Sequence, residues 1–218
     1  MKRISVLFAL TAILAISSCT KERIRGGGPI TTETRNVTGF TAVSVAGSTN
    51  VYITQGAVFK VEVKGYSNLL PYFETKLVNN TLQLGFKQDV NVKNDNTDVY
   101  ISMPALNGLS LSGSGNISTT GIFNGNTDFN ARIDGSGNIH FSSGTAQQFN
   151  ARIAGSGNIK AIDMVANKSD IRIDGSGNTE ITTTNELKVI INGSGNVYYR
   201  GTPVISTQIS GSGAVLPR

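Results

Sequence analysis

Apolar residues recur along this chain at every second position, in short runs bounded by Gly, Asn and Pro. Phe40, Ala42, Val43 and Val45, then Val51 and Ile53, then Phe59, Val61 and Val63, then Leu82, Leu84 and Phe86, then Val99, Ile101 and Met103 predict strands with one buried face. The one short stretch with a helical stripe, 68–75, is broken by Pro71. In the second half the alternation is punctuated by Gly-Ser-Gly-Asn, which begins at Gly113, Gly135, Gly155, Gly175 and Gly193 and returns as Gly-Ser-Gly-Ala at Gly211. The steps between copies are 22, 20, 20, 18 and 18 residues. Two residues before each copy stands Leu111, Ile133, Ile153, Ile173, Ile191 or Ile209, and four after its first glycine stands Ile117, Ile139, Ile159, Thr179, Val197 or Val215. These even offsets predict the inside of a coil, and the motif its corner, where glycine lets the backbone turn without strain.

A coil of about 20 residues at ~3.3 Å each has a perimeter near 65 Å, room for three short faces around an aliphatic core. The fold class is therefore all-β: a parallel β-helix, or β-solenoid, of ~18–22-residue coils whose N-terminal half is irregular. An antiparallel meander or barrel, with every motif on one rim, stays open as the alternative. The corner asparagines Asn116, Asn138, Asn158, Asn178 and Asn196 are placed to hydrogen-bond from coil to coil as a ladder, with left-handed geometry tolerated at each. Val45–Val51 is a decayed copy of the motif, and Gly65–Leu69 a weaker one, both expected as coils drifting towards a capping role.

The beginning of the chain has a different grammar. Lys2 and Arg3 precede an apolar run over 4–16 and the small residues Ser17-Ser18 before Cys19, which predicts a signal peptide at 1–18 with an apolar core too short to span a bilayer. Ile16-Ser17-Ser18-Cys19 resembles the bacterial lipobox, so Cys19, the only cysteine, is expected to carry the lipid that holds the mature protein to the membrane. Residues 19–35 are polar and glycine-rich and predict a flexible tether, followed by a single domain at 36–218 in which 36–108 is the irregular, capping part and 109–218 the repeats.

The lipoprotein start, the irregular β half, Met103-Pro104-Ala105-Leu106 leading into the first Gly-Ser-Gly-Asn-Ile, and the tandem copies that follow together resemble the putative auto-transporter adhesin, head GIN domain family over about residues 36–218. The resemblance implies a right-handed β-helix of the kind found in Bacteroidetes envelope lipoproteins, lodged at the outer membrane. Function does not come with it.

Chemistry is sparse. The formal net charge is +5 and falls to +3 once Lys2 and Arg3 leave, charged residues are 15% of the chain and tryptophan is absent, which argues against nucleic acid. His140 is the sole histidine and Cys19 is committed to lipid, so no zinc set exists. Neutral asparagine replaces the aspartate of calcium-binding β-rolls, and neither a metal nor a cofactor is expected. Six equivalent serines sharing one histidine form no catalytic triads.

One charged constellation stands out. Arg132, Arg152 and Arg172 occupy the same offset in three successive copies, and Asp134, Ala154 and Asp174 the offset two residues on. Both offsets are odd and face outward, where the guanidinium forks suit carboxylates and the aspartates offset arginine repulsion. Asp134 and Asp174, two coils and ~9–10 Å apart, sit at the upper edge of the carboxylate spacing of inverting glycosidases, but the neighbouring arginines keep them ionised. The expected function is a non-enzymatic binding or adhesion module of the cell envelope for a glycan or surface protein. A polysaccharide lyase or glycosidase and a structural scaffold are the alternatives.

Overall fold

The computed structural model describes residues 22–218; the signal peptide expected at 1–18, Cys19 and the first residues of the expected tether lie outside the described residues. The strands are β1 (Glu22–Arg25), β2 (Ile30–Thr34), β3 (Ala42–Gly47), β4 (Asn50–Gln55), β5 (Lys60–Tyr66), β6 (Phe73–Val78), β7 (Thr81–Phe86), β8 (Val90–Lys93), β9 (Asp98–Met103), β10 (Gly108–Gly113), β11 (Asn116–Thr120), β12 (Phe123–Gly135), β13 (Asn138–His140), β14 (Gly144–Gly155), β15 (Asn158–Gly175), β16 (Thr179–Gly193), β17 (Asn196–Arg200), β18 (Val204–Ser210) and β19 (Ala214–Pro217). The stretch 68–75 is no α-helix: a single 3-10 turn at Leu70–Tyr72 carries the chain around Pro71 into β6.

From β10 onward each strand pairs in parallel with its counterpart one repeat later, which selects the solenoid over the meander. The pairing keeps like over like: Leu111, Ile133, Ile153, Ile173, Ile191 and Ile209 form one inward column, and Ile117, Ile139 and Ile159 another. Except at Ile209 these side chains are buried, each contributing about 1.5–3 kcal/mol of hydrophobic stabilisation. A third interior column holds Phe129, stacked on Phe149 with ring centroids 6.0 Å apart, then Ser169 and Leu187.

In the first half, stacking order departs from chain order. β3 lies between β7 and β10, and β4 between β9 and β11, so the chain lays down the coil 42–55, passes beneath it with 81–103, and returns above it. The return runs through Pro104-Ala105-Leu106-Asn107, with Leu106 buried and the Asn107 amide donating to the Thr41 carbonyl at 2.8 Å. Gly47 and Asn50 stack in register under Gly113 and Asn116, as a decayed motif copy should. Gly65–Leu69 is not such a copy: Gly65 belongs to β5, which runs antiparallel to β9 and so lies across the end of the stack.

That end is closed by antiparallel strands, β5 on β9, β2 on β5, and β6 on β7. The tether expected at 19–35 is thereby corrected over 22–34: β2 pairs with β5, and β1 pairs in parallel with β8. These residues join by backbone hydrogen bonds rather than by an apolar face, which is why their polar composition resembled a linker. Gly26 between them is packed so closely against the Asn94 carbonyl and the Tyr66 ring that a methyl group would not fit.

Candidate functional site

The corner motif sets the geometry of the outer faces. Its first glycine takes φ between +123° and +140° from Gly113 to Gly211, and at every level a Cβ on it would overlap the carbonyl of the glycine one coil below. The asparagine that follows is not left-handed; no motif asparagine is among the residues with positive φ. Its side-chain amide is what matters. Asn116 donates to Asn50 at 2.9 Å, Asn138 to Asn116 at 3.0 Å, Asn158 to Asn138 at 2.9 Å, Asn178 to Asn158 at 3.0 Å and Asn196 to Asn178 at 3.2 Å. The ladder extends beyond the motif at both ends, from Asn50 donating to Asp98 to the Ala214 amide donating to Asn196. It rivets the edge against which the next face is built.

That face carries the arginines. Arg132, Arg152 and Arg172 are in register on β12, β14 and β15, flanked on one side by Asn130, Asn150 and Asp170 and on the other by Asp134, Ala154 and Asp174. Arg132 forks onto its own Asp134 at 2.6 and 3.0 Å, and Arg172 onto Asp174 at 2.8 and 3.0 Å. Among the described residues Arg152 has no such fork, because Ala154 stands where the acid would be, and its one ionic contact there is a diagonal 3.7 Å approach to Asp174. A shallow depression of about 320 Å³ lies here, lined by these arginines with Asn130, Asn150 and Asp170. A second, of about 350 Å³, shares Asn130 and Arg132 and continues down the face to Ser110 and Ala42.

The carboxylates of this face are held by nearby donors. Hydrogen bonds from Arg172 and then from Asn192, at 2.7 Å, hold the Asp174 carboxyl below the usual carboxylate range. A carboxyl held this way is ionised near neutral pH and has no proton to donate. Asp134 and Asp174 lie on the same column with Ala154 between them, and Arg132 and Arg172 occupy their oxygens. Among the described residues no group of three His, Cys, Asp or Glu side chains is arranged to hold a metal ion.

A second exposed feature escaped the sequence reading. Tyr52 and Tyr100, 41% and 38% exposed, stack on the outer face of β4 and β9 with centroids 5.2 Å apart and planes 18° from parallel. Their signal was the shared triplet Val-Tyr-Ile at 51–53 and 99–101, hidden because the two coils are stacked neighbours that the chain separates by 48 positions. Lys60, Glu62 and Ser102 surround them in a hollow of about 180 Å³.

The model of the putative auto-transporter adhesin, head GIN domain family matches residues 39–203. No curated protein matches the chain in sequence. Among solved structures, it is similar to a putative adhesin of Bacteroides fragilis, with a TM-score of 0.74 and 22% identity over 89% of this chain and 100% of that one. A putative lipid binding protein of Parabacteroides distasonis gives a TM-score of 0.60 and 23% identity, covering 90% of this chain and 100% of that one. A putative adhesin of Parabacteroides merdae gives 0.55 and 22%, covering 90% and 99%. At these identities the likeness is one of fold.

Proposed function

This chain belongs to the putative auto-transporter adhesin, head GIN domain family, and from that premise we propose that it is a lipid-anchored, non-enzymatic binding module of the bacterial envelope, whose arginine-bearing face holds an acidic glycan. The observation that carries the reading is Arg152, a half-exposed guanidinium whose own coil supplies Ala154 in place of an acid, set between two arginines that are satisfied by theirs. Guanidinium binds carboxylate or sulfate through paired donors, and a regular row of polar side chains at ~4.8 Å spacing suits an extended, repeating ligand. Arg132 and Arg172 occupy both oxygens of Asp134 and of Asp174, which weighs against a glycosidase pair on the same face.

Two substitutions bracket the site. Arg152→Ala is expected to weaken binding to an acidic oligosaccharide such as oligogalacturonate about tenfold or more, as loss of a charge-assisted fork costs about 1.5–3 kcal/mol. Ala154→Asp completes the third fork, leaves the thermal midpoint equal or raised, and weakens the same binding through occupation and repulsion. Calorimetric titration reads both, and unchanged affinity in Ala154→Asp rejects the site.

The anchor is tested separately. Cys19→Ala is expected to abolish incorporation of a labelled fatty acid into the protein, which the wild-type chain takes up at its only cysteine. Equal fatty-acid labelling of the variant and the wild type rejects lipid attachment at Cys19. A signal at the surface of intact cells, read by protease shaving, supports adhesion, whereas protection supports a periplasmic scaffold.

A further inference from the structure

The two ends of the solenoid are unlike. At the end where β1 and β2 enter, antiparallel strands cover the stack. At the other, β18 pairs with β16 and β19 with β17, and among the described residues nothing pairs with their outer edges. All seven residues of β18 are exposed. Ile205 and Ile209 continue the interior columns of Leu187 and Ile191, yet they are 39% and 41% exposed where their predecessors are fully buried. An uncovered strand edge offers a row of free amides and carbonyls, and proteins ordinarily protect it with lysine, proline or a bulge. Val204-Ile205-Ser206-Thr207-Gln208-Ile209-Ser210 has no charge, no proline and no break in its register with β16.

We propose that this end docks onto the same end of a second copy, so that two solenoids meet head to head and the contact joins molecules on facing membranes. The sequence of β18 is self-complementary about Thr207. In an antiparallel pair centred there, Ile205 faces Ile209 and Ser206 faces Gln208 on both sides of a two-fold axis. Because Ile205, Thr207 and Ile209 share one face, the two open interiors then close on each other. Neither strand brings a charge that would oppose the pairing.

The orientation follows from the stack. β1 begins three residues after Cys19 and pairs with β8, which lies between β7 and β9 at the covered end. Going up from β9, the levels are β4, β11, β13, β15, β16, β17 and β19, seven steps or about 34 Å. With Cys19 at the membrane, a point that rests on the anchor proposed above, the open edge points away from it. One coil end is a small contact, so a single pair binds weakly and a densely coated surface binds strongly.

The test couples the chain from Cys19 onward, through its only thiol, to maleimide-lipid vesicles, which makes it independent of lipidation in the cell. Wild-type vesicles are expected to aggregate, as read by light scattering. Ser206→Lys with Gln208→Lys puts like charges opposite each other, as does Ser206→Glu with Gln208→Glu, and each double variant alone is expected to aggregate about tenfold more slowly. Mixed together, the lysine and glutamate vesicles regain aggregation, which a misfolded variant does not do. Dispersed wild-type vesicles, the result if another segment of the chain covers β18, overturn the proposal. Undiminished aggregation by the like-charged variants, or no recovery on mixing, also overturns it.

Discussion

Gly155→Ala lowers the unfolding free energy by about 2–6 kcal/mol, read as a shift of the urea midpoint. Two costs meet at this position. Its φ of +130° is a conformation that a residue with a Cβ adopts only under strain, about 1–3 kcal/mol. The added carbon also overlaps the Gly135 carbonyl, which accepts from the Ser156 amide at 3.0 Å and the Gly157 amide at 3.1 Å, so displacing it disturbs both bonds of the corner. Overpacking of this kind costs about 1–3 kcal/mol. Three other glycines separate the terms. Gly157→Ala carries the overlap, against the Gly137 carbonyl and Ile133, without the positive φ. Gly125→Ala has a φ of +76° in open space and carries only the conformational cost, about 1–2 kcal/mol. Gly27→Ala has neither and is expected to be neutral or to stabilise by up to about 1 kcal/mol through the unfolded chain. If Gly155→Ala and Gly27→Ala unfold at the same urea concentration, the close stacking of the corners is wrong.

That double requirement was half legible in the sequence. Alignment on the first glycine exposed the bend, the inward isoleucines, the outward arginines and the coil that lacks an acid at Ala154, because each is a comparison between like offsets. It did not expose the second glycine's reason, a carbonyl one coil below, since no local signal records the distance between coils. The asparagines illustrate the same limit: their recurrence marked a ladder, but the backbone at them is not left-handed and the recurrence reports side-chain bonding alone. In the first half the repeat is worn down to Gly47-Ser48-Thr49-Asn50, and chain order no longer equals stacking order. The stacked pair Tyr52 and Tyr100 and the strands at 22–34 follow from that inversion and from pairings made by backbone groups, to which side-chain periodicity is blind.

The interior column of β14 carries the other large effect. Phe149→Ala is expected to cost about 3–5 kcal/mol, the range for removing a fully buried ring from a core that relaxes only in part. Phe149 stacks on Phe129, which in turn meets Phe141 edge-on at 4.7 Å, so its loss leaves an aromatic cluster open on one side. Its neighbour one coil above is Ser169, whose hydroxyl is committed to Thr183 at 2.7 Å. A small polar side chain with a fixed partner cannot move into the space as an isoleucine might collapse into it, so the cavity persists. For a chain of this size the loss corresponds to a fall of about 6–20 °C in the thermal midpoint. Phe149→Leu refills much of the volume and is expected to recover at least half of it. Leu216→Ala, on the open coil where the side chain is 40% exposed, changes stability by less than about 1 kcal/mol. Because each coil contacts only its neighbours, a central defect weakens two interfaces while an end defect weakens one. Equal midpoints for Phe149→Ala and Leu216→Ala would therefore contradict both the position of Phe149 in the stack and the exposure of the last coil.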